Sequence, residues 1–190
     1  MYDASIKRFD GNIIEIEGDE EPDDKNTRLL RAAFLLASRE VLECDGEAME
    51  WATGIMTERW VEARQNFNPN APRVFAVVDA HSQVVGMVET YIHGGSQPLL
   101  YVALIAVSKQ YQGHGIGSDL LKHVEGVARK NNIAKVELVS DNPKTRGFYD
   151  KMGYSIAIDS DGNGFKAAKE LTLIDINTKT CYDDSHEQAK

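Results

Sequence analysis

Cysteine is nearly missing from this chain. Cys44 and Cys181 are the only two in 190 residues, and they lie far apart. That excludes a cysteine metal cluster and leaves a reduced, cytoplasmic setting as the expectation. The five histidines stand singly, none at ligand spacing to another, so no metal site is expected. No apolar run approaches the roughly 20 residues that span a bilayer. The N-terminus, MYDASIKRFD, lacks the basic and apolar regions of a secretory signal. An excess of basic charge is absent too: 30 Asp and Glu against 21 Lys and Arg leave a net charge of −9. Such a surface repels phosphate backbones, so neither a nucleic acid nor a membrane is expected as a partner. With no internal repeat and no long linker, one domain is expected over residues 1–174, followed by a polar tail over 175–190.

What is present is unevenly spread. Residues 15–50 hold twelve carboxylates against four bases, Lys25, Arg28, Arg31 and Arg39. This segment attracts cations, or else it is a plain solvated face. The alternation around Asp10-Gly11 predicts a hairpin or a single edge strand, with an acidic loop from Glu20 to Asn26. From Thr27 the period becomes helical through Leu30, Ala33, Phe34, Ala37 and Val41. After a break at Cys44–Gly46, Met49, Ala52, Met56, Trp60 and Ala63 form a second apolar stripe, ended by Pro69 and Pro72. Three strand-like runs follow, from Val74, Val84 and Leu99. A helix after Gly117, a strand at Ala134–Ser140 and a short helix capped by Asn142-Pro143 come next. A closing hairpin is expected from YSIAI and AKELTLI around an Asp159–Gly164 turn. The order predicts an α/β (α+β) fold with a mixed sheet.

The densest glycine cluster, in AVSKQYQGHGIGSDLL, lies between a strand and a helix, where unpaired amides meet the positive end of the helix dipole. That placement suits an anion, and phosphate first. A Walker-type loop needs Lys-Ser/Thr after the last glycine, but Ser118-Asp119 follow Gly117. A dinucleotide fingerprint would put Ser118 at its third glycine. A tight packing turn is the plain alternative.

LIAVSKQYQGHGIGSDLL resembles the pyrophosphate-binding motif of the GNAT superfamily of acetyl-CoA-dependent N-acetyltransferases. DNPKTRGFYDKMGY resembles a second segment of that family, with Thr145 where alanine is usual. The resemblance implies the GNAT fold, a central sheet of six to seven strands flanked by about four helices. It implies acetyl-CoA as acetyl donor, its pyrophosphate held by Gln112, Gly113, His114, Gly115, Ile116, Gly117 and Ser118. Ala106 and Val107 would bind the pantetheine arm like an added strand, and Asn142 would reach the same arm. Tyr149, near the thioester, would be the general acid, and the Val107 amide the oxyanion donor. His114 is read as largely solvated. On periodicity alone Tyr149 fits a core aromatic as well.

Many members carry a catalytic glutamate on the strand before the glycine loop, but Leu99–Val107 contains no carboxylate. Glu89, within the apolar run VETYI, is the substitute base, with an edge-strand charge facing water as its plain alternative. Tyr101 is a second candidate, acting through water. The expected activity is direct acetyl transfer to a primary amine of a small cationic metabolite or of a protein lysine or N-terminus. A non-catalytic acyl-CoA-binding regulatory module is the other reading. Acetyl-CoA, a cationic amine and a second copy of the chain, as a homodimer, are the partners considered.

Overall fold

The structure is a computed structural model that describes residues 11–16, 25–65 and 71–173. The Asp10 side of the first turn, most of the acidic loop, the segment 66–70 and the tail from Asp175 lie outside these residues.

Seven strands form one mixed sheet: β1 (Asn12–Ile16), β2 (Arg73–Val78), β3 (Val84–His93), β4 (Leu99–Val107), β5 (Lys135–Ser140), β6 (Ser155–Ile158) and β7 (Phe165–Glu170). Their spatial order is β1-β2-β3-β4-β5-β7-β6. Only β4 and β5 run parallel among these pairs. That junction needs a crossover, and α3 (Ile116–Lys130) supplies it. Among the described residues β1 is an edge strand paired with β2, and the arm before Gly11 that would make a hairpin lies outside them.

Two apolar clusters pack on opposite faces. On one face α3 buries Ile116, Leu120, Leu121, Val124, Val127 and Ala128, at the helical spacing read in the sequence. The short α4 (Arg146–Lys151) adds Tyr149 to the same face. On the other, α1 (Lys25–Glu40) buries Leu30, Ala33, Phe34 and Ala37, and α2 (Gly46–Gln65) buries Met56 and Trp60. Val41, expected on the α1 stripe, lies past the helix end and is exposed. The chain turns away at Glu43, in the left-handed region at φ 52°. The last strand begins at Phe165, earlier than the expected Ala168, and ends before Leu171. Among the described residues no helix is long and apolar enough to cross a membrane.

Candidate functional site

A one-residue bulge shapes the site. Glu89 stands opposite Leu104, but Thr90 stands opposite Val102, which leaves Ala103 as the extra residue of β4. The parallel pairing of β4 with β5 covers Leu100–Val102 and stops there. Beyond the bulge, one edge of β4 is therefore open. The Ser108 amide donates to Val85 O at 2.9 Å, so by alternation Ala106 turns its backbone to β3 while Ile105 and Val107 turn theirs to the open edge. Val107 O accepts from Gln112 Nε2 at 3.0 Å, in keeping with that direction.

The glycine turn closes one end of this edge. After a 3-10 turn at Lys109–Tyr111 the chain passes through Gly113 (φ 80°) and Gly115 (φ 89°) into α3. Both glycines use a left-handed backbone that other residues adopt at a cost. A Cβ built on either would meet no atom within 4 Å, so the space before the turn is open. The Asp119 amide donates to Gly115 O at 3.0 Å, and the amides before it lie at the positive helix end. Tyr111 ties the turn to the β2–β3 hairpin: its hydroxyl donates to Asp79 at 3.1 Å. Asp79 also accepts from the amides of His81 and Gln83, and these bonds hold its carboxyl below the usual range.

The opposite wall comes from α4. The Asn142 side chain accepts from the Lys144 amide and so starts this segment with Pro143 behind it. Tyr149 is buried, with its ring 5.0 Å from Phe148, 5.8 Å from Phe165 and 6.1 Å from Tyr154. Desolvation pushes its phenol up to about 12.

These elements enclose a cleft of about 450 Å³. Val107, Gln112, Gly113, Gly115, Ile116, Gly117, Ser118 and Tyr149 line it. Ala106, His114 and Asn142 stand outside that lining. Ala106 packs into the α1/α2-side cluster, the His114 ring lies 3.0 Å from Gln112 O, and Asn142 is exposed as a cap. Sequence reasoning missed Ile105, Tyr111, Thr145 and Phe148 as lining residues. Alternation along β4 is the available signal for Ile105, and Thr145 is marked in the sequence by its departure from the alanine usual in the resembling segment.

Glu89 lies on the α1/α2 face of the sheet. It is no edge charge facing water: β3 is an interior strand and the Glu89 side chain is 0% exposed. Burial raises its carboxyl above the usual range, and Arg59 of α2, whose Nη2 lies 2.9 Å from Oε1, opposes that shift. Tyr91 follows on the same face, its ring 5.3 Å from Tyr101 and 5.1 Å from His93. The sequence singled out neither Arg59 nor this aromatic group around Tyr101. Among the described residues no cluster of metal-ligating side chains occurs.

A family model described as the acetyltransferase (GNAT) family matches residues 30–154. N-alpha-acetyltransferase 40 of Saccharomyces cerevisiae is 35% identical over 83 residues, a match covering 38% of this chain and 29% of that protein. Tetrahymena GCN5 superposes with a TM-score of 0.62 at 16% identity, over 85% of this chain and 98% of that one. The PaiA N-acetyltransferase from Thermoplasma acidophilum, solved in complex with coenzyme A, superposes at 0.61 with 19% identity, over 84% and 99%. The last two likenesses are likenesses of fold.

Proposed function

The chain belongs to the acetyltransferase (GNAT) family, and from that premise we propose that it is an N-acetyltransferase moving an acetyl group from acetyl-CoA to a cationic primary amine. The observation that carries this reading is the cleft itself, where an open strand edge, a glycine turn at a helix N-terminus and a buried tyrosine face one another. The residues present fit the coenzyme. The open ground before Gly113 and Gly115 admits a pyrophosphate against the backbone, and the outward amides of Ile105 and Val107 can pair with an amide-bearing arm. Bound there, the coenzyme supplies an activated acetyl thioester.

The chain's own groups do the rest. The Val107 amide, turned to the open edge, stabilises negative charge developing on the acetyl oxygen. Tyr149 keeps its proton at neutral pH and donates it to the departing sulfur as the C–S bond breaks. On the acceptor side Glu89 takes the proton that the amine must lose before its nitrogen forms the new C–N bond, with Tyr101 as the other candidate. The carboxylate that many relatives place on β4 would thus be supplied from β3, directly opposite Leu104.

The yeast relative's name favours a polypeptide α-amine, and the acidic residues favour a basic one; the match spans under a third of that relative. Release of free thiol from acetyl-CoA, measured against small amines, polyamines and basic peptides, tests the assignment. Turnover with a basic peptide or polyamine supports it. Tight acetyl-CoA binding with no turnover on any amine supports the non-catalytic reading instead.

A further inference from the structure

The ion pair between Arg59 and Glu89 is lopsided. The guanidinium, 59% exposed on α2, reaches down to a carboxylate that is fully buried in β3. It engages Oε1 alone. Oε2 of the same carboxylate is buried and has no hydrogen-bond partner. A buried carboxylate oxygen without a donor is rare and unfavourable, and it calls for a ligand or a counter-charge that completes it.

Among the described residues the surroundings offer no second cation. Across the strands Glu89 faces Val74 and Leu104, both apolar. The α1 helix covers this face with Leu30, Phe34 and Ala37. Tyr91 is the titratable neighbour along β3, with Tyr101 behind it. Among the described residues Arg59 is the charged group bearing on Glu89.

We propose that Arg59 is the positioning residue of the acceptor subsite: it ties Glu89 through Oε1 and leaves Oε2 as the seat for the acceptor's ammonium group. The proposal rests on the reading of Glu89 as the acceptor-side base. Two cations then share one carboxylate, and they are unequal. A guanidinium does not lose its proton in proteins, whereas an alkylammonium can. Arg59 therefore favours the ionised carboxylate against the effect of its burial before the acceptor arrives and repels the ammonium's proton afterwards. The first effect keeps Glu89 in the form that can accept a proton, and the second favours a neutral amine, the form that attacks. The proton passes from the ammonium nitrogen to Oε2, and the guanidinium keeps its own.

The test compares Arg59→Met, Arg59→Gln, Arg59→Lys and Glu89→Gln over a pH series, with the amine that the wild type acetylates best. Removing the fixed positive charge is expected to move the acid limb of kcat/KM upward by about one pH unit, in the range an adjacent opposite charge commands. At a pH below the new limb kcat/KM for the amine falls about tenfold relative to the wild type. Arg59→Lys keeps the limb near its wild-type place. A readout without turnover is the 13C carboxyl resonance of Glu89 in the cofactor-free protein, which spermidine should shift in the wild type. An equal rate loss at every pH in Arg59→Met and Arg59→Gln, or a resonance indifferent to spermidine, overturns the role of Arg59. Wild-type rates in Glu89→Gln would instead overturn the base assignment on which the role depends.

Discussion

With its phenol pushed up to about 12, Tyr149 stays protonated across the working range of any such enzyme. Tyr149→Phe should therefore lower kcat roughly ten- to several-hundred-fold, at the lower end of what a general acid contributes. Affinity for acetyl-CoA should hold, because the ring keeps its contacts with Phe148, Tyr154 and Phe165. Steady-state kinetics and calorimetry on the one variant separate the two, and wild-type turnover would return Tyr149 to a packing role. Periodicity favours a core aromatic here and the family resemblance a general acid, and the ring is both buried and in the cleft wall. Gly115 is a cleaner case. Its φ of 89° and the empty space where a Cβ would stand mean that a side chain costs backbone strain and fills the cleft. The strain alone is about 1–2 kcal/mol. Gly115→Val should weaken acetyl-CoA binding far more than it lowers Tm, and unchanged affinity in a folded variant would remove the turn from the coenzyme site. Both residues were legible because each carries its own local signature. Arg59 was not, because its partner Glu89 lies 30 residues away across a helix–sheet contact.

Elements were legible to the extent that one face of each is apolar. The α1 and α3 stripes are apolar at the helical spacing, and every expected position but Val41 and Gly117 is buried. The α2 helix is less one-sided: Trp51 is 71% exposed and Ile55 44%, on the side away from buried Met56 and Trp60. Nothing in the spacing marks Gly86 as special, because close approach is a property of two elements together. A Cβ there would stand 2.6 Å from Ile116 Cγ2 and 3.4 Å from Leu120 Cδ1. Gly86 thus sets how near the first turn of α3 sits to β3, and with it where the cleft-lining amides point. Gly86→Ala must push Ile116 outward. Overpacking of this kind costs about 1–3 kcal/mol, so a lowered Tm is expected together with weaker acetyl-CoA binding. A variant of unchanged Tm and unchanged affinity would show that Ile116 yields without moving the turn.

At the scale of the molecule the chain order predicted a mixed sheet but not that β7 lies between β5 and β6; pairing across distant residues decides that, and no local pattern records it. The acidic segment is likewise read differently once folded. Glu15 is taken up by Arg73, with contacts of 2.6 and 2.7 Å, and Glu40 lies 3.0 Å from Arg39. Glu43, Asp45, Glu47 and Glu50 stay exposed where α1 passes into α2, and no lysine or arginine occurs between Arg39 and Arg59. A cation approaching this end gains long-range attraction that raises its local concentration. The same field opposes an anionic coenzyme, which short-range amide contacts must hold instead. The two substrates should therefore answer salt in opposite senses. Raising ionic strength toward 1 M shortens the screening length to about 3 Å. KM for a polyamine or basic peptide should then rise, while KM for acetyl-CoA stays flat or falls. Reversing Glu43, Asp45 and Glu47 to lysine should reproduce the loss for the amine alone, with a lower Tm because Asp45 and Glu47 sit at the positive N-terminal end of α2. If the best acceptor proves neutral or acidic, or its KM ignores both salt and charge reversal, the carboxylates at this end are a solvating surface and the acceptor's charge is read by Glu89 alone.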